Sequence, residues 1–156
     1  MTKDDVLIFR EAIQLAEEAE RQGNLPIGAV IVYKGKIIAR GMNSIWQPTL
    51  ELTRHAEMEA LRCMPIDLRH YCKEMTLYTT LEPCLMCAGA IMLHQIGHLV
   101  YGSSDPYGGI STCLGSLPTY FKEVFSYLHW SGPALPSECD PLYVRAMELE
   151  RHKLQE

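Results

Sequence analysis

The chain has 156 residues, with 14 Lys and Arg against 19 Asp and Glu, a formal net charge of −5 at pH 7 with His neutral. Apolar residues make up 47% and charged residues 21%, the proportions of a soluble globular protein, and a chain of this size buries about two-thirds of its unfolded surface, enough for one core. The longest apolar run, Leu85 to Leu93 with Gly89 inside it, falls far short of the ~20 residues of a membrane span, and Met1-Thr2-Lys3-Asp4-Asp5 lacks the pattern of an export signal. The expectation is one domain over residues 1–156, cytoplasmic, with no membrane partner. The acidic balance argues against a surface that grips nucleic acid all over.

In chain order, Thr2-Lys3-Asp4-Asp5 fits a Thr N-cap with an acid three residues on. Apolar residues at 6, 9, 13, 16 and at 8, 12, 15, 19 then recur at helical spacing, and Gly23 stops this first helix. Ile27 to Tyr33 is a β-branched run, Lys34-Gly35 a turn and Lys36 to Gly41 a returning strand, which predicts a hairpin. A loop from Asn43 to Thr53, with Pro48 in it, leads to a helix over His55 to Arg62 capped by Thr53. Met75 to Thr80 reads as a third strand, Glu82-Pro83 as a strand-to-helix turn, Leu85 to His94 as a mostly apolar helix and Gly97 to Tyr101 as a fourth strand. Beyond Gly102, glycines and prolines break every period. Tyr120 to Trp130 holds a short helix or a strand, and Asp140-Pro141 opens a last helix running to about Lys153. This order predicts an α/β fold, a three-layer α/β/α sandwich whose mixed central sheet of about five strands is flanked by helices.

Six cysteines stand at 63, 72, 84, 87, 113 and 139. In a reducing compartment, close pairs serve as ligands or redox groups rather than as staples. Cys63, Cys72, Cys113 and Cys139 read as small buried hydrophobes. Cys84 and Cys87 differ, because at this spacing on a first helical turn their sulfurs share one side. A helix start also favours the thiolate, through its free N–H groups and dipole. His55, opening another helix, offers a nitrogen. One His and two Cys leave a fourth tetrahedral position open, the pattern of a catalytic zinc site, where the metal brings a bound water toward a pKa of ~7. Glu57, two residues past His55, reaches that position without being a ligand and can carry a proton to a leaving nitrogen. His-x-Glu followed by Pro-Cys-x-x-Cys is the signature of zinc deaminases of nucleobases. A non-catalytic zinc-stabilised binding module is the rival from another class, and it has no use for a carboxylate at Glu57. A redox dithiol is a further rival, which bound zinc would suppress.

On these residues the chain resembles the cytidine deaminase-like superfamily, and within it the bacterial tRNA adenosine deaminases and the relatives that deaminate free guanine or cytosine. The likeness runs from about Phe9 to Asp105. Leu25-Pro26-Ile27-Gly28-Ala29-Val30 is similar to the family's first strand. Leu77 to Cys84 and Met86 to Ile91 are similar to its third strand and following helix, and Tyr101-Gly102 with Asp105 to its fourth strand and next loop. The resemblance implies Zn²⁺ held by His55, Cys84 and Cys87, with Glu57 as proton shuttle. It also implies substrate contacts from Asn43, Pro26, Asp105 and the backbone N–H of Ala56. A homodimer is implied as well, with the apolar helix Ala88 to Leu93 buried in the core or partly in a dimer seam.

Three features set the chain apart from the tRNA enzymes of that group. Thr53-Arg54 precedes His55 where the group usually has Thr-Ala, the loop after Asp105 reads Pro106-Tyr107-Gly108-Gly109-Ile110-Ser111, and Tyr127-Leu128-His129-Trp130 stands where those enzymes carry Asn-His-Arg. From residue 106 on there are four Lys or Arg, namely Lys122, Arg145, Arg151 and Lys153, few for neutralising an RNA backbone. The sequence thus leans toward a zinc-dependent hydrolytic deaminase of a free nucleobase or nucleoside. The alternative is a tRNA-specific adenosine deaminase making inosine at the wobble position. Tyr107, Tyr120 and Trp130 are rings of the kind that stack a base, although most such rings serve a core.

Overall fold

A computed structural model describes residues 1–153 and 155; residues 154 and 156 of the domain expected from the sequence lie outside the described residues. Strands β1 (Gly28–Tyr33), β2 (Lys36–Met42), β3 (Thr76–Leu81), β4 (His98–Ser103) and β5 (His129–Ser131) form one sheet in the order β2-β1-β3-β4-β5. β1 runs antiparallel to β2 and β3, while β3, β4 and β5 run parallel. The sheet is flanked by α1 (Lys3–Arg21), α2 (Ala56–Cys63), α3 (Leu85–Leu93), α4 (Thr119–Phe125) and α5 (Pro136–Lys153). This is the mixed five-stranded sheet between helices that the sequence pattern predicts.

The two-residue period of the strands builds the layers. Val30 and Val32 of β1 and Tyr78 of β3 pack with Phe9, Ala12, Ile13 and Ala16 of α1 and with Cys139 and Leu142 of α5. Their neighbours Ala29, Ile31 and Leu77, with Leu99 of β4, face the other way onto Ala56, Ala60 and Leu61 of α2 and Ala88, Ile91 and Met92 of α3. With both faces covered, β1 reads as an unbroken apolar run rather than an alternating one. Each fully buried Ile or Leu here contributes about 1.5–3 kcal/mol.

Two glycines let helices lie close on the hairpin. A Cβ on Gly28 would overlap the α1 backbone at Ala12 and Ala16, and one on Gly41 would overlap α2 at Ala56 and Ala60. The first helix starts as its sequence predicts. Thr2 Oγ1 accepts the Asp5 N–H at 3.1 Å, and the Asp5 carboxylate accepts the Thr2 N–H at 2.7 Å, a reciprocal cap that satisfies two otherwise free donors.

The structure departs from the sequence pattern in five places. The second helix is capped at His55 with no side-chain cap bond, and Thr53, expected as its cap, donates its hydroxyl to Glu51 Oε1 at 2.6 Å instead. Tyr120 to Trp130 holds both elements, most of α4 and then the start of β5. 3₁₀ helices form over Ile66–Glu74 and Ile110–Ser116, where no period marks an element, as is usual for short tight turns. The last helix begins at Pro136, so Pro141 lies inside it and forgoes one backbone hydrogen bond. Cys63, at the outward end of α2, is exposed, and Cys113 is only partly buried; Cys72 and Cys139 are buried as expected. Among the described residues no helix is long and apolar enough to cross a membrane.

Candidate metal centre and active site

The strand directions collect the chemistry at one edge of the sheet. Because β1 is antiparallel to β3, its first residue lies beside the last residues of β3: Ala29 pairs with Thr79, and the Gly28 N–H donates to Thr80 Oγ1 at 3.1 Å. Met42, ending β2, pairs with Gly28, and Ser103, ending β4, pairs with Leu81. Pro26 before β1, Asn43 after β2, Cys84 after β3 and Asp105 after β4 therefore gather at the same edge.

His55 is the residue before α2 and Cys84 the residue before α3. His55 Nδ1 lies 3.7 Å from Cys84 Sγ and 3.6 Å from Cys87 Sγ, and all three donor atoms fall within 4.8 Å of one another. Zinc bonds of about 2.3 Å to sulfur and 2.0–2.1 Å to nitrogen, at tetrahedral angles, put S and N about 3.6 Å apart. The donor set therefore already has the spacing zinc requires. The two thiols behave as a pair that holds one proton. The hydrogen bond with Cys87, more than that with His55, brings the Cys84 thiol down to about 4 against the opposing effect of burial. The bond to Cys84, with burial, holds Cys87 protonated. The bond to Cys84 also raises the His55 imidazole above its usual value. A dication held by the three donors would take the place of that proton.

Glu57 is 3% exposed. Its Oε1 accepts from Thr79 Oγ1 at 3.3 Å and its Oε2 from Cys87 Sγ at 3.4 Å. Burial pushes its carboxyl above the usual carboxylate range.

Asn43 is fully buried. Its backbone N–H donates to Ile27 O at 2.9 Å and its Oδ1 accepts the Ile45 N–H at 3.4 Å, but Nδ2 has no partner. An unpaired buried donor is costly in a protein interior, and Nδ2 is available to a ligand or a water. Pro26 and Ala56 are both buried, and Ala56, as the first residue of α2, has an N–H with no intrahelical acceptor. Asp105 turns its Oδ1 into its own loop, accepting the N–H groups of Tyr107 and Gly108 at 3.0 Å each and the Tyr143 hydroxyl at 3.2 Å. Arg54, the unusual residue before His55, pairs with Glu59 at 3.0 Å.

The supporting roles of two residues are absent from the sequence reading. Glu82, 3% exposed, accepts the N–H of Asp105 at 3.0 Å and of Ser111 at 2.9 Å. Asn24, fully buried, accepts the N–H groups of Trp46 and Gln47 at 2.9 and 3.0 Å. The available signal was an acid directly after an apolar strand, and an Asn in the short link between the first helix and the first strand. A cavity of about 420 Å³ lies at the opposite end of β4, lined by His98, His129, Tyr120 and Tyr127 among others, and includes none of the metal donors.

This fold and this donor set define a zinc-dependent deaminase. The chain belongs to the family of the cytidine and deoxycytidylate deaminase zinc-binding region, whose profile matches residues 2–103. It is 42% identical over 131 residues to a tRNA-specific adenosine deaminase of Bacillus subtilis, covering 79% of this chain and 74% of that protein. A structure from a study of A-to-I editing by tRNA:A34 deaminases superposes with a TM-score of 0.69 at 31% identity, over 87% of this chain and 99% of the other. Guanine deaminase from Bacillus subtilis superposes with a TM-score of 0.54 at 33% identity, over 67% of this chain and 66% of the other. The chain is thus a hydrolase that deaminates a nucleobase-type amino group, with zinc as its cofactor.

Proposed function

We propose that the chain is a tRNA-specific adenosine deaminase that converts adenosine to inosine at the wobble position, the alternative reading of the sequence rather than its small-molecule one. The observation that supports this best is the 42% identity over 131 residues to the Bacillus subtilis enzyme. That likeness reaches beyond residues 2–103, whereas the guanine deaminase matches a smaller share of the chain.

In this reading His55, Cys84 and Cys87 hold the zinc, which when bound supplies a water acidic enough to attack at neutral pH. Glu57 accepts the proton of the attacking water on a carboxylate oxygen. It delivers that proton to the ring nitrogen, which keeps it. Glu57 then takes the second proton, from the new hydroxyl on the ring carbon, and gives it to the departing amine, so that a carbonyl forms and ammonia leaves. Asn43 Nδ2, unpaired in the protein, donates to an acceptor of the base or its ribose, and the Ala56 N–H to the base edge. Pro26 forms a wall of the pocket, and Asp105 fixes the loop at its rim. Residues 1–156 act as one deaminase domain in the cytoplasm. The chain pairs with a second copy through α3, whose Leu85 and Leu93 are 63% and 59% exposed.

The test is turnover on a tRNA anticodon stem-loop against a panel of free bases and nucleosides. Inosine formed in the stem-loop with the highest kcat/KM is the expected result. A higher kcat/KM on a free base would restore the small-substrate reading, which the four cations after residue 105 favour.

A further inference from the structure

The loop between β4 and the following 3₁₀ helix is fastened at nearly every residue. Asp105 and Ser111 donate their N–H groups to Glu82 at 3.0 and 2.9 Å. Tyr107 and Gly108 donate theirs to the Asp105 carboxylate at 3.0 Å each. Gly109 donates to Asp105 O at 2.9 Å, and Ile110 to Pro83 O at 3.0 Å. Gly109 also pairs in an antiparallel bridge with Cys84, a metal donor.

On this fixed backbone Tyr107 points away from the protein, 90% exposed, the most open of the exposed tyrosines. It stands two residues from Gly109, so its Cα lies within about 7 Å of the backbone that pairs with Cys84. A large ring that packs on nothing, held on a rigid loop beside the metal centre, contributes nothing to the core. Because its backbone is fixed, only its two side-chain torsions remain to be ordered when it meets a flat partner.

We propose that Tyr107 is the stacking platform for a nucleotide adjacent to the target adenosine, a subsite for one unpaired base. This rests on the reading of the substrate as a base within RNA. A base has a π-face whatever its sequence, so such a platform tolerates sequence while fixing the strand. Loss of an aromatic platform lowers binding by roughly 5- to 150-fold per base. It also compensates for the scarcity of cations in the last third of the chain. Tyr127, 81% exposed, lines the cavity at the other end of β4 and is too far away to share this nucleotide.

The experiment compares wild type with Tyr107→Ala, Tyr107→Phe and Tyr127→Ala on an anticodon stem-loop. The same variants are assayed on stem-loops made abasic on one side or the other of the target adenosine. Tyr107→Ala should lose roughly 5- to 150-fold in kcat/KM on the intact RNA, while Tyr107→Phe and Tyr127→Ala stay close to wild type. On one of the two abasic RNAs the gap between wild type and Tyr107→Ala should close, the signature of a shared interaction. A gap that persists on both abasic RNAs, or a Phe variant as poor as the Ala variant, would overturn the subsite while leaving RNA deamination standing. A wild type that turns over free bases and no RNA would overturn the substrate reading and the subsite with it.

Discussion

The carboxylate of Glu82 lies beneath the backbone of Asp105, accepting its N–H at 3.0 Å through Oε2 while Oε1 accepts the Ser111 N–H at 2.9 Å. Glu82 stands two residues before Cys84, so the loop at the rim and the metal donor share one buried support. Replacing Glu82 by Ala would leave two N–H groups without acceptors, at about 1–3 kcal/mol each. Glu82→Gln would turn an amide donor toward one of them and relieve little. Both variants should lower the melting temperature. Both should also weaken kcat/KM on RNA while zinc content, read by elemental analysis, stays near that of wild type. Unchanged stability would show that the loop does not depend on this carboxylate.

Zinc should be present at close to one per chain in protein purified without added metal. Binding is coupled to folding where thiolates and imidazole must be gathered, so a chelator should lower the melting temperature as it removes activity. Cys84→Ala and Cys87→Ala should lose metal and stability together. Activity surviving in metal-free protein would rule out the zinc assignment.

Gly41 ties the fold to the site, because a Cβ there would meet the Ala56 carbonyl, one residue from the metal donor His55 and one from Glu57. Gly41→Ala should displace the start of α2 at a cost of about 1–3 kcal/mol, as overpacking does. It should also weaken zinc affinity, which titration with a metal indicator measures. Gly115→Ala, where an added Cβ meets nothing within 4 Å, is the matched control.

Much of this was legible in the sequence because chemistry and periodicity coincide there. His55, Glu57, Cys84 and Cys87 stand out by residue type and spacing, and the strand and helix periods place them at element ends that a sheet brings together. Glu82 and Asn24 escaped because their partners are backbone N–H groups of distant loops, which no local pattern records. The 3₁₀ segment Ile66–Glu74 escaped because its one buried residue, Cys72, leaves no period to detect. The sequence leans toward small substrates because the departures at Arg54, in the loop after Asp105 and at Tyr127 to Trp130 are legible residue by residue, as is the scarcity of cations after residue 105, whereas a likeness spread over 131 residues is not contained in any one motif.

Asp5 gives the stability a pH dependence of known sign. Its hydrogen bonds with Thr2 hold its carboxyl below the usual value of 3.8, and its Oδ1 accepts the Tyr78 hydroxyl of β3 at 2.9 Å. A carboxyl whose pKa is lower in the folded state adds stability that is fully present above the unfolded value and is lost as pH falls through the folded one. Asp5→Ala should therefore cost about 1 kcal/mol at pH 7, as a lost cap does. The gap from wild type should narrow as denaturation is repeated from pH 4 downward. A gap independent of pH would assign the effect to packing alone.

Glu57 separates catalysis from scaffolding. Its carboxyl is buried, raised by that burial, and held by Thr79 and Cys87. It stands outside the set of His55, Cys84 and Cys87 that would hold the metal. Glu57→Gln keeps the shape and the hydrogen-bonding oxygen but removes the group that carries a proton. Zinc content and melting temperature should stay near wild type while kcat falls by a factor on the order of 10² to 10⁴, the usual worth of a general acid or base. His55→Ala should behave differently, losing zinc along with rate. Both quantities are to be read on the same Glu57→Gln sample. Full activity would leave Glu57 as an acid favoured only by the helix dipole. Loss of zinc would make it a ligand, and the position left for the attacking water would then be taken.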